Sequence, residues 1–183
     1  MFNIKKHIKL SFENSSEIDD FYRFQQFDYS KFFKMDNLSK LGFLASEMLF
    51  KDDEHRFEQS ENIAIIGFNY SSSLDADTQY HATIDSNENY FPSPSLFVYT
   101  LPNIVTGEIA IRNNILGETS FYVCEKFDAK QIVGTVINSF SDKITTKAIV
   151  LWVEHLEVFM ALVECGKGDV EFNENQIILL YNT

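Results

Sequence analysis

Residues 97–126 read FVYTLPNIVTGEIAIRNNILGETSFYVCEK. The stretch predicts a helix, a tight glycine turn and a short buried strand that ends near a cysteine. Pro102 suits a first helical turn, where no amide donor is missed. Ile104, Ile111 and Ile115, with Val105 and Ile109 beside them, give the helix a broad apolar face. Gly107 in mid-helix costs about 1 kcal/mol relative to alanine, which predicts another backbone packed closely there. Gly117 stops the pattern at a C-cap or turn. Thr119 to Cys124, TSFYVC, is β-rich with apolar residues on both faces.

Downstream, Phe127 to Phe140 predicts a second helix. Its stripe is Val133, Val136, Ile137 and Phe140, and Asp128 sits at its start, where a negative charge is favourable. Ile144 to Val153, Glu157 to Glu164 and Gln176 to Tyr181 predict three strands, the last two separated by the turn Gly166-Lys167-Gly168-Asp169. Upstream, Ile63 to Phe68 is an apolar run without alternation, as expected of a central strand covered on both faces. Asp36 can cap a helix to about Phe50, with Leu38, Leu41, Ala45 and Met48 on one face and Leu44 beside them. Lys51 to Asn62 predicts a charged surface loop, Leu74 to Ile84 a short helix and Asp85 to Pro94, with Asn87 and Asn89, a loop. Asn3 to Phe12 alternates as a first strand. Asn14 to Asp20 reads as a polar turn. Phe21 to Phe33 holds seven aromatics and reads as an extended arm or short helix wrapping the core, with a groove for an apolar chain as the sharper alternative. The order of elements predicts an α/β sheet with helices on both faces.

A chain of 183 residues predicts one domain, able to bury about 70% of the surface its unfolded form exposes. Its 18 Phe and 8 Tyr favour a packed sheet core or an aromatic interface. A net charge of −12 argues against nucleic acid or an anionic membrane as partner. The 2 Cys give neither a disulfide framework nor zinc spacing. No apolar run has the length of a signal peptide or a membrane span, so the expectation is a cytoplasmic protein. Four His at 7, 55, 81 and 155 are scattered, and neither a metal nor a cofactor is expected.

The opening stretch resembles the β-ketoacyl-acyl-carrier-protein synthases, condensing enzymes of the thiolase fold. Asn103 and Gly107 stand at that family's helix pattern, and Gly117-Glu118-Thr119 at the turn before its nucleophile strand. Lys34-Met35-Asp36 with Leu38, Leu41 and Ala45 is similar to its K-M-D segment and following helix. Ile63 to Gly67 is similar to its first core strand after that helix, and Ala148 to Glu154 to the strand ending in G-G-x-E. The matches keep the family's order over roughly residues 30–165, and residues 1–33 would be a divergent aromatic-rich arm on a single domain 1–183. The resemblance implies one N-terminal thiolase-like half, a mixed sheet covered by helices on both faces. It also implies a strand, here Thr119, Ser120, Phe121, Tyr122, Val123 and Cys124, that pairs with its copy or with a synthase across a two-fold axis.

The departures decide the activity. The resemblance puts the nucleophile at Lys126, two residues past Cys124. Two residues along a strand is ~7 Å, and catalysis is sensitive to misplacement of about 1 Å. The family's His or Asn partners come from a C-terminal half, and this chain stops at Thr183, about where that half would begin. Two readings follow. One is a non-catalytic partner of a ketosynthase in fatty-acid, polyketide or aryl-polyene assembly, as homodimer or heterodimer, with an acyl carrier protein as a further candidate partner despite the like charge. The other is a reduced 3-oxoacyl synthase or acyltransferase using Cys124, which would need a base within reach. The favoured reading of Cys124 is a small core residue, of Lys126 a surface or interface charge, of Glu154 a structural carboxylate and of His155 a surface histidine.

Overall fold

The computed structural model describes residues 1–86 and 90–183; Asn87 and Asn89 of the predicted loop lie outside them. Five strands form one mixed sheet: β1 (Phe2–Ser11), β2 (Ile63–Asn69), β3 (Thr119–Val123), β4 (Lys147–Glu154) and β5 (Glu157–Cys165). Their order is β1-β5-β4-β2-β3. β2 lies parallel to both β3 and β4. β4 and β5 form an antiparallel hairpin, and β1 pairs antiparallel with β5.

Helices cover both faces. On one side lie α1 (Ser15–Phe24), α2 (Asn37–Leu49) and α5 (Ile104–Arg112), packed with Ile65, Ile149, Leu151, Val158 and Met160. On the other lie α6 (Ala129–Ser139) and α7 (Glu174–Asn182), packed with Ala64, Ile66, Phe68, Trp152 and Phe159. Alternate residues of β2 and β4 thus enter opposite cores, and both strands are buried along almost their whole length. The remaining helices, α3 (Leu74–His81) and α4 (Pro94–Val98), form an excursion between β2 and α5.

The helices start where their caps predict. Asp36 accepts the Ser39 amide at the head of α2, and Asp128 the Gln131 amide at the head of α6. Two expectations fail for the same reason. Asn14 to Asp20 is the start of helix α1, because the Asn14 side chain accepts from the Ser16 and Glu17 amides. Gln176 to Tyr181 is helix α7, capped by Asn173 onto Gln176. The run QIILLY is too short and too uniformly apolar for its period to distinguish strand from helix, and the cap decides it. The predicted strand from Ile144 begins only at Lys147, since Asp142 turns the chain by accepting the Ile144 and Thr145 amides.

The aromatic arm does wrap the core. Its first residues, Phe21 to Phe24, are the end of α1, and residues Ser30–Lys34 add a 3-10 turn. Tyr22 stacks on Phe32 at 4.0 Å between ring centroids and Tyr29 on Phe43 at 5.1 Å.

In α5, the packed face is Val105, Ile109 and Ala110, whereas Ile111 is exposed and Ile115 lies beyond the helix end. Pro102 precedes the N-cap Asn103 rather than occupying the first turn. Gly107, expected at a close backbone approach, faces open space. The glycine that the helix packing requires is Gly42 of α2, where any Cβ would strike Val105 of α5.

Candidate functional site

β3 is the outer strand of the sheet, not a buried one. Tyr122 and Val123 are 37% and 54% exposed. Two hydrogen bonds fix which way its backbone faces: the Ile65 amide donates to the Glu118 carbonyl, and the Cys124 amide donates to the Asn69 carbonyl at 2.7 Å. With the parallel register Ile65↔Thr119 to Asn69↔Val123, Glu118, Ser120, Tyr122 and Cys124 direct their backbone groups at β2. Thr119, Phe121 and Val123 direct theirs outward, away from every other strand of the sheet. Such a row is a template for another strand.

The strand is held flush by glycine and aromatic packing. A Cβ on Gly67 would lie 2.5 Å from the Phe121 ring, so the ring rests directly on the β2 backbone, with Thr106 of α5 beside it. Tyr122 stacks on Phe68 from the opposite face, centroids 5.3 Å apart. Gly117 leads the chain into β3 against the Ile63 carbonyl, where no side chain has room. This is the physical content of the Gly117 motif: space, not a special φ. The Ser120 hydroxyl is buried on this strand without a hydrogen-bond partner among the described residues.

Cys124 follows β3 and is buried in the α6-side core. Its thiol lies 4.0 Å from the Tyr122 carbonyl. Burial pushes the thiol pKa up, the Asp128 carboxylate adds to the rise, and a hydrogen bond with Gln131 offsets part of it. The first helical residue is Ala129, so the thiol precedes the α6 terminus rather than sitting on it. Among the described residues no histidine hydrogen-bonds to Cys124. Lys126 is exposed on the bend between β3 and α6.

Glu154 ends β4 and accepts the Tyr70 and Ser71 amides at 2.6 and 3.0 Å. It ties the loop after β2 to the neighbouring strand end. His155 stands in the β4–β5 turn at φ 51°, with its Nε2 3.6 Å from Glu154 Oε1. Asn103 caps α5 through its backbone, its carbonyl accepting the Gly107 amide and the Thr106 hydroxyl. Thus Cys124, β3 and the α5 pattern gather at one edge of the sheet, while Glu154 and His155 serve the β2 and β4 strand ends.

Two buried charge nodes escaped the sequence reading. Glu47 of α2, 3% exposed, accepts from both Arg56 and Arg112. Arg56 also donates to Asn113 Oδ1 at 2.7 Å, so the loop predicted as merely charged is pinned inward. Glu108 of α5 accepts from Lys31 at 2.6 Å and from the Tyr99 hydroxyl at 3.3 Å. A glutamate on the apolar face of α2, one turn past Phe43 and Leu44, was the available signal. A cleft of about 300 Å³ beside the first node is lined by Arg56, Asn113, Ile63 and Lys147. Ile63 and Lys147 begin β2 and β4, the strand ends remote from Cys124. Among the described residues no acidic, histidine or cysteine cluster is arranged to hold a metal, and no helix is long and apolar enough to cross a membrane.

No protein-family model and no curated protein matches the sequence. Solved structures do match the fold. A complex of the ketosynthase ApeO with its chain length factor ApeC from Xenorhabdus doucetiae superposes with a TM-score of 0.64 at 12% identity, over 91% of this chain and 80% of that one. The ishigamide ketosynthase/chain length factor gives 0.71 at 15% identity, over 92% and 63%. A β-ketoacyl synthase from Burkholderia phymatum STM815 gives 0.57 at 10% identity, over 89% and 58%. This chain therefore spans less than two thirds of the latter two. The mixed five-stranded sheet, its two helical layers and these superpositions together establish that the chain has a ketosynthase-like half of the thiolase fold.

Proposed function

We propose that residues 1–183 are a single non-catalytic ketosynthase-like domain, a partner that pairs with a ketosynthase through β3. The observation that carries this reading is the outward-facing row of backbone groups at Thr119, Phe121 and Val123, without a strand partner among the described residues, on a firmly backed edge strand. Two of the similar structures contain a chain length factor with a ketosynthase, which supports a heterodimer with such an enzyme in polyketide, aryl-polyene or fatty-acid assembly. The position assigned to the nucleophile holds Lys126, and Cys124 is buried with its thiol held protonated. Both support a silent role, since the thiolate is the nucleophile. Asn103, Gly107, Gly117 and Glu154 are scaffold positions. An acyl carrier protein would dock on the synthase, because a net charge of −12 opposes another acidic protein.

The test is sedimentation of the purified chain alone and mixed with the complete ketosynthase encoded nearest to its gene. A one-to-one complex supports the reading. A chain that stays monomeric at high concentration and never comigrates with the synthase ends it.

A further inference from the structure

The excursion that carries α3 and α4 is chemically unlike the rest of the surface. Leu74, Phe97, Val98 and Leu101 are large, apolar and exposed. Tyr80 packs against Phe97 at 5.3 Å between ring centroids, and the Ser73 hydroxyl donates to the Thr100 carbonyl at 2.6 Å. These contacts join α3 to the approach to α5 in one patch. It starts at the C-terminal end of β2: Tyr70, itself exposed, follows Asn69, the β2 residue that pairs with Val123. The charges on this stretch have one sign. No lysine or arginine occurs between Tyr70 and Asn103, although the chain holds 15 of them. Asp75, Asp77 and Asp85 are exposed there.

We infer that this patch, which starts at the β2 end beside β3, fits a partner presenting an apolar socket ringed by lysine and arginine, and that it selects against a second copy of this chain. The inference rests on the pairing role proposed above and names its partner chemistry. The apolar centre supplies burial, which is indifferent to partner identity. The acidic rim supplies the discrimination: like charges brought together oppose self-pairing, and opposite charges raise the association rate and fix the partner. Desolvation of the patch strengthens both effects, because the rim charges then act across less water.

The experiment is sedimentation velocity at about 50 mM and about 500 mM salt, a range that cuts the screening length several-fold. The wild-type chain is run alone and with the same ketosynthase, beside the double variant Asp75→Lys/Asp77→Lys, Phe97→Ser and Val123→Pro. Circular dichroism melts confirm that each exposed-site variant folds. The expected results are a wild-type chain that is monomeric at low salt and a synthase complex weakened about tenfold or more by high salt and by the charge reversal. Phe97→Ser weakens the complex at both salts. A wild-type homodimer at low salt whose strength ignores the charge reversal overturns the inference. So does a synthase complex that Val123→Pro abolishes but the other variants leave intact; that outcome keeps the pairing role and removes the patch from it. Absence of any complex removes both.

Discussion

Two adjacent proline substitutions separate the inner face of β3 from its outer one. The Val123 amide points away from the sheet, so Val123→Pro deletes no hydrogen bond of the ladder, and proline is tolerated on an edge strand in that orientation. The side chain is already half exposed, so the folded chain should change by no more than about 0.5 kcal/mol. The Tyr122 amide points at the Gly67 carbonyl, which is buried. Tyr122→Pro orphans that acceptor, at about 1–3 kcal/mol, and removes the ring stacked on Phe68, at about 0.5–1.5 kcal/mol. The sum is about 1.5–4.5 kcal/mol, or roughly 3–18 °C in melting temperature for a chain of this size. Association should rank the other way at the outset. In the complex with the synthase Val123→Pro removes one outward donor, at about 0.5–1.5 kcal/mol, and its ring blocks the approach of a partner strand. From the lost donor alone the dissociation constant should rise by roughly 2- to 13-fold. Thermal melts and sedimentation of the mixture with the synthase measure the two quantities on the same samples. A Val123→Pro chain that melts as low as Tyr122→Pro would show that the outward orientation is wrong. One that melts like wild type and binds as well would show that the edge is not where the partner sits.

Gly42→Ala should destabilise by about 1–3 kcal/mol, since Val105 is fully buried and β-branched and cannot turn aside; Gly107→Ala, with open space around it, should stabilise by up to about 1 kcal/mol, both read from urea midpoints. Glu47→Ala strands the Arg56 guanidinium, itself 7% exposed, and should cost about 3–5 kcal/mol, with loss of the fixed 51–62 loop seen as faster proteolysis there. Iodoacetamide should label Cys124 more slowly than a free thiol at neutral pH, and Asp128→Asn, which keeps the helix cap but not the charge, should speed it; labelling as fast as Cys165 would contradict the burial argument. Burial raises the pKa of Cys124, Tyr99 and Tyr181. Each then contributes stability that is present below its unfolded pKa and lost as pH rises through its folded one, so melts between pH 8 and 11 should fall by more than those of Tyr99→Phe.

What the sequence made legible was the part dictated by local chemistry. Asp36 and Asp128 announced their helices, Ile63 to Phe68 announced a strand covered on both faces, and the K-M-D and glycine-turn segments placed them in one order. Where local signals compete, the cap decides. Asn14 and Asn173 cap helices, although polar neighbours suggest a turn at the first and an apolar run suggests a strand after the second. The close approach that Gly107 suggests in sequence falls instead at Gly42. Composition marks that a helix contains glycine, yet only the crossing of α2 over α5 determines which glycine must be small. The Glu47 node was hidden because its partners lie on a loop and on another helix.

The same distinction governs the candidate site. TSFYVC, apolar on both faces, suggests a buried strand, which is what such a pattern means in mid-sheet. Here the inner neighbours are satisfied by one strand only, β2. The apolar character of β3 therefore needs another cause. Phe121 and Tyr122 account for theirs by clasping Gly67 and Phe68. Val123 does not: its side chain is more exposed than covered, at a position where threonine, lysine or glutamate would protect an edge from unwanted pairing. An edge that carries valine there, with its own amide and carbonyl facing outward and no proline on the strand, supports the pairing role proposed for β3. That is the reason to place function at the strand and not at the thiol that ends it.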